Sequence, residues 1–170
     1  LINTCGVSPY RIAAVTFTNK AAREKRERLD ELLGPRARGL TASTFHSFCA
    51  MILRRDGERI GLDRDYVIYD DADSVALLKR AMKEVNVDPK QWGVRAIQSA
   101  ISGAKSQLMS AAEFGKAKDN YFEEIVLRVF ERYEALLHQS TAVDFDDILL
   151  RTHSLLTGYP DIADKYQQRF

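Results

Sequence analysis

A chain of 170 residues, 45% apolar and 29% charged, has the size and composition of one ordinary globular domain or slightly more. It holds no run of 18 apolar residues, which excludes a membrane-spanning helix, and no basic-then-apolar secretory segment. The net charge of +1 argues against a uniformly basic nucleic-acid binder, but residues 1–60 carry 11 Lys/Arg against 6 Asp/Glu and residues 61–170 carry 14 against 18, so +5 stands against −4. Cys5 and Cys49 are too far apart for a metal-binding pair or a disulfide framework, which suits a reducing, cytoplasmic setting. His46, His138 and His153 form no local cluster. The chain starts at Leu1 rather than Met, so it is expected to be a piece of a longer polypeptide.

In chain order, residues 1–11 lead into a Ser8-Pro9 loop. The apolar run 12–17 is short, but Val15, Thr16 and Phe17 favour a strand over a buried helix. Thr18 or Asn19 then caps a charged helix over residues 19–33, which Gly34-Pro35 stops. Residues 40–43 predict a second strand. A second helix follows from Thr44 to about Ile60, with one apolar stripe at positions 45, 48, 49, 52 and 53. Strand, helix, strand, helix is the pattern of a parallel α/β sheet.

Residues 63–70 form a connector carrying Tyr66 and Tyr69, after which strand signals stop. Asp70 or Asp71 caps a helix with an apolar face of Val75, Leu78, Met82 and Val85, and Asp88-Pro89 breaks it. Val94, Ile97, Ile101, Ala104 and Leu108 mark the next helix, and Ser110 caps a short one to about Lys118. The strongest period in the chain is Phe122, Ile125, Val126, Val129, Phe130, Tyr133, Leu136 and Leu137, an amphipathic helix of about five turns. Asp144 opens a helix with Asp147 three residues on, as in a capping box. Pro160 starts a last helix towards Phe170.

Four stretches bear on chemistry. An open α/β sheet places ligands outside the carboxyl ends of its strands. At the first such end stand Thr16, Phe17, Thr18, Asn19 and Lys20, groups suited to stacking on a base and holding phosphates. From these residues alone, the better reading is Phe17 as a core aromatic and Thr18 as only a cap, because isolated aromatics are usually core. The start of the second helix offers free N–H groups, the Thr44 hydroxyl and the His46 ring N–H to a phosphate, and Arg54 and Arg55 follow on the same helix. A capping or packing role for His46, and pairing of the arginines with Asp56 and Glu58, are the alternatives. Gly34 and Gly39 have phosphate-loop spacing, but Leu40 stands where the lysine belongs, so no such loop is assigned. Asp144, Asp146 and Asp147 could hold magnesium. No apolar strand is expected before them, and they read better as helix-start residues complementing the dipole.

Residues 16–29, TFTNKAAREKRERL, resemble motif Ia of the UvrD/PcrA/Rep group of superfamily 1 DNA helicases, and Ser43-Thr44-Phe45-His46-Ser47-Phe48-Cys49 resembles the STFH motif of the same group. The likeness continues through 52–70 and VDFDDILL at 143–150, and so covers nearly the whole chain. Lys25 departs from the pattern, where the family usually carries Met. The resemblance implies an α/β fragment of the RecA-like P-loop NTPase class, mostly helical, with short parallel strands and an all-α inserted subdomain. It implies that 1–67 is the first part of the motor domain, 68–143 the helical 1B insert and 144–170 the return to the motor domain.

By the same resemblance, the intact protein is an ATP-dependent 3′-to-5′ DNA helicase using ATP and Mg2+. Its phosphate loop is expected upstream of Leu1 and its DExx motif beyond Phe170. The fragment alone is then expected to hydrolyse no ATP, to bind neither cofactor, and to hold no catalytic or metal-binding residue. The implied DNA-binding residues are Thr16, Phe17, Thr18, Asn19, Lys20, Thr44, His46 and Arg54. The implied partners are single-stranded DNA, single-strand/duplex junctions and the remaining motor domains of the same polypeptide, with no membrane. A helicase–nuclease of the AddA or RecB kind and a non-hydrolysing DNA-binding or adaptor module stay open beside this reading.

Overall fold

The computed structural model describes residues 1–170, apart from the side chain of Asn3. In chain order the elements are α1 (Ile2–Cys5), β1 (Ala13–Thr16), α2 (Asn19–Leu33), β2 (Thr41–Thr44), α3 (Phe45–Asp56), β3 (Val67–Ile68), α4 (Asp71–Glu84), α5 (Pro89–Trp92), α6 (Val94–Ser106), α7 (Ala111–Ala117), α8 (Tyr121–Gln139), β4 (Ala142–Val143), α9 (Phe145–Gly158) and α10 (Pro160–Arg169). Among the described residues no helix is long and apolar enough to cross a membrane.

β1 and β2 pair in parallel, from Ala13↔Thr41 to Thr16↔Thr44, with α2 as the crossover. Thr18 caps α2 by accepting from the Ala21 N–H at 3.2 Å, and the chain leaves α2 at Gly34, whose φ of 53° suits a residue without Cβ. α2 buries no residue fully. Lys25, at the family's usual Met position, is exposed and reaches the Val15 carbonyl with its Nζ at 3.4 Å. It therefore ties the helix to β1 by a hydrogen bond where a Met would pack.

A second parallel pair corrects the expectation that strands end at the connector. β3 runs beside β4, with Val67↔Ala142 and Ile68↔Val143. Val67 N donates to Thr141 O and Tyr69 N to Val143 O, both at 2.9 Å. An apolar strand does precede Asp144, contrary to the sequence reading. Two residues are too few for a period of two to register.

The packing divides between two apolar cores. The first is built by α4, α6, α7 and α8, with Leu78, Met82, Ile97, Val126, Val129 and Phe130 buried. The second joins α3, the connector, α9 and α10 through Ile52, Leu53, Tyr66, Ile148, Leu155 and Tyr166. The chain passes from one to the other within β4. Ala142 packs in the first core and Val143 in the second, because successive side chains of a strand point to opposite faces. The expected stripe of α8 is its buried face from Ile125 to Leu137.

Three further details differ from the sequence reading. α3 gives way to a 3-10 turn over Gly57–Ile60. A one-turn helix, α5, starts at Pro89 with Asp88 as its cap. Leu108 is not on the α6 face, because α6 ends at Ser106 and Leu108 sits at φ 60°, exposed.

Candidate nucleic-acid interface

The parallel register sets the ends of β1 and β2 side by side at Thr16 and Thr44. Each strand runs into a helix, so the N-termini of α2 and α3 open on one edge. Both present backbone N–H groups and the positive ends of their dipoles. Thr16 Oγ1 donates to the carbonyls of Thr18 at 3.2 Å and Ser43 at 3.4 Å, which stitches the two strand ends together. Thr44 is buried; its Oγ1 accepts from the Ser47 N–H at 3.2 Å and donates to Ser47 Oγ at 2.9 Å. Its hydroxyl therefore shapes the turn. Thr44→Ala is expected to cost about 1 kcal/mol in denaturant unfolding, the usual loss of an N-cap.

β1 ends at Thr16, so Phe17, expected as the last residue of the strand, lies just beyond it in the turn before α2; it is 87% exposed and no part of a core. Its ring lies 5.2 Å from that of Phe45, tilted by 37°. Phe45 is 40% exposed, a correction to its place on the apolar stripe of α3. It occupies the first turn, which projects past the sheet edge. His46, next in sequence, meets the Phe145 ring at 5.6 Å, near edge-on, and Phe145 is 53% exposed. Two ring pairs, Phe17–Phe45 and His46–Phe145, thus meet at consecutive residues of the first turn of α3, drawn from the β1–α2 turn, α3 and α9. Nothing local in the sequence marks Phe145, because its meeting with His46 depends on the packing of α9 against α3.

Asn19 and Lys20 are exposed on the first turn of α2. Lys20 pairs loosely with Glu24 at 3.9 Å, and Arg23 and Arg28 pair with Glu27 and Glu31 at 4.0 and 3.2 Å. Such exposed pairs are weak and leave their cations open to phosphate. Arg26 instead donates to the Ala42 carbonyl at 2.6 Å, as a strut between α2 and β2.

The structure does not bring Arg54 to this edge. Arg54 lies on the last turn of α3, about 13 Å along the axis from the helix start at 1.5 Å per residue. Its guanidinium donates to the carbonyls of Arg64 at 2.7 Å and Tyr66 at 3.3 Å and lies 4.4 Å above the Tyr66 ring. It fastens the connector to α3.

Asp144 and Asp147 form the capping box of α9: Asp147 N donates to Asp144 Oδ1 at 2.8 Å and Asp144 N to Asp147 Oδ2 at 3.3 Å. Between them reaches a lysine the sequence reading passed over. Lys105 of α6 has a fully buried side chain, with Nζ 2.7 Å from Asp144 Oδ2 and 2.8 Å from Asp147 Oδ1. Tyr133 of α8 donates to the same Asp144 oxygen at 3.1 Å. Burial alone would push the Lys105 ammonium down, but the two carboxylates outweigh it and hold its pKa above the ordinary value. Burial and the Asp144 charge together push the Tyr133 phenol up.

No nucleotide cradle is built by these residues. Gly34 ends α2 and opens a 3-10 turn through Ala37, and Gly39, at φ 93°, lies against the Tyr10 ring. That stretch is a helix stop and a strand lead-in.

The whole of the chain, residues 1–170, matches the family described as the UvrD/REP helicase N-terminal domain. It is 43% identical over 164 residues to a Bacillus subtilis protein named ATP-dependent DNA helicase PcrA, which covers 96% of the chain and 22% of that relative. A Leuconostoc citreum protein of the same name is 44% identical over 171 residues, covering 100% of the chain and 23% of the relative. One from Staphylococcus aureus is 39% identical over 170 residues, covering 100% and 23%. The chain thus spans less than a quarter of the length of these curated relatives.

Proposed function

The chain belongs to the UvrD/REP helicase family, with that family's RecA-like α/β fold, and from this premise we propose that it is the part of an ATP-dependent DNA helicase that grips single-stranded DNA. The observation that carries the reading is the exposed Phe17–Phe45 pair beside two helix N-termini. Flat, exposed rings stack on bases of any sequence, at roughly 1–3 kcal/mol per base. Helix starts and lysines beside them hold phosphates without reading bases. A motor that moves along DNA needs both properties, since strong preference for one sequence would stall it.

In this reading Phe17, Phe45 and Phe145 contact bases. Thr16, Thr18 and Thr44 shape the two strand ends. Asn19, Lys20, His46 and the backbone N–H groups of α2 and α3 meet phosphates. Arg54 is left out, since it stands on the last turn of α3, away from the two helix starts, and ties the connector to that helix. Residues 1–67 and 144–170 are the motor-domain part and 68–143 the helical insert, a division supported by the two cores meeting at β4. ATP and Mg2+ would supply the driving reaction, and we assign their binding to segments outside residues 1–170, because Gly34–Ala37 forms a turn and no phosphate cradle. The direction of travel is 3′-to-5′, the partners are single-stranded DNA, its junctions with duplex and the other motor domains of the polypeptide, and the setting is the cytoplasm.

Photo-crosslinking tests the assignment. An oligonucleotide carrying 5-iodouracil, bound to the full-length protein and irradiated, is expected to label peptides containing Phe17, Phe45 or Phe145. Labelling confined to peptides outside these three would overturn it.

A further inference from the structure

Lys105 is the one Lys or Arg among the described residues whose side chain is fully buried, and it comes from the helical core. Its two carboxylate partners bracket Phe145, one residue before it and two after. The ammonium, the Tyr133 hydroxyl and the capping box together fix the first turn of α9. That turn sets where the Phe145 ring stands against His46. A buried ion cluster is a poor device for stability alone, since apolar packing of equal volume does as well, but it holds one geometry.

We propose that Lys105 is a positioning residue for DNA binding: from α6 it locks the start of α9 and so aims Phe145 into line with the aromatic edge. This rests on the reading of that edge as the DNA surface. It also gives the helical unit a part in the grip, because any shift of α6 or α8 against α9 moves Phe145. Neither Lys105 nor Tyr133 touches the strand in this scheme.

The test is a double-mutant cycle in the full-length protein. Removing the lysine alone strands two buried carboxylates, so the variant used is Lys105→Met/Asp144→Asn/Asp147→Asn, which empties the cluster of charge and keeps a capping side chain on α9. The affinity for oligo(dT) is measured with and without Phe145→Ala. Phe145→Ala alone is expected to weaken binding about tenfold, the loss of one stack. The triple variant is expected to lose most of that factor. Adding Phe145→Ala to the triple variant should then cost little more, because the ring is already misplaced. A 2-aminopurine base in the oligonucleotide should lose its Phe145-dependent quenching in the triple variant. If the two losses multiply while the quenching stays, Lys105 is structural and the proposal is overturned. If Phe145→Ala alone leaves affinity unchanged, the DNA surface does not include Phe145 and the proposal falls with that part of the reading. If the triple variant is unfolded by near-ultraviolet circular dichroism, Tyr133→Phe, which removes one bond to Asp144, must show the same coupling to Phe145→Ala, and its absence overturns the proposal.

Discussion

Lys105→Met is expected to destabilise the protein by about 3–5 kcal/mol, the usual cost of breaking a buried ion cluster from one side. The Met fills nearly the same volume, so little of the loss is packing. The cost comes from Asp144 and Asp147, which keep their places in the capping box but lose the cation between them. Arg151 is no substitute: its Nε is 3.9 Å from Asp147 and makes no hydrogen bond. The two carboxylates are left buried without their counter-charge. Urea unfolding at neutral pH checks the size. A midpoint equal to the parent's at neutral pH would mean that the cluster is not formed as described.

Val129→Asp is expected to cost about 4 kcal/mol or more, because it places a carboxylate in a wholly buried apolar core. Val129 is wholly buried at the centre of the α8 face, in the core shared with α4, α6 and α7. That core is built of apolar side chains, so the new group either stays charged at high cost or takes up a proton. The melting temperature should fall steeply, with the near-ultraviolet signal of Trp92 and the tyrosines lost first. If the variant melts with the parent, α8 does not carry the core.

Much of this fold is legible in the sequence because several signals agree at each element. For α2, a cap at Thr18, a charged helical run and Gly34-Pro35 all place the same boundaries. α8 is legible from its period alone. The second strand pair is not, since β3 and β4 hold two residues each and exist only because two distant segments meet. Lys105 is illegible for a different reason. A lysine on an amphipathic helix normally reads as solvated, and its burial depends on two aspartates 39 and 42 positions away. The candidate site was half visible. The strand end before Phe17 and the helix start at Thr44 are local features, so the sequence points to both. The pairing of Phe17 with Phe45, and the arrival of Phe145 beside His46, come from strand register and from the packing of α9 on α3. Arg54 shows the converse: helical spacing alone does not reveal that its guanidinium binds the connector, on the turn of α3 away from the helix start.

The most direct test of the DNA-gripping edge is Phe17→Ala, with single-stranded DNA affinity and melting temperature measured on the same full-length protein. Because Phe17 is 87% exposed, its loss should leave the melting temperature nearly unchanged. Binding should weaken by roughly 1–3 kcal/mol, about ten- to a hundredfold, equally for oligonucleotides of different base composition. The dependence of affinity on salt should keep its slope, since no phosphate contact is removed. A Phe17→Ala protein that binds DNA as tightly as the parent, or one that loses affinity only because it has unfolded, would contradict the stacking role and with it the central claim.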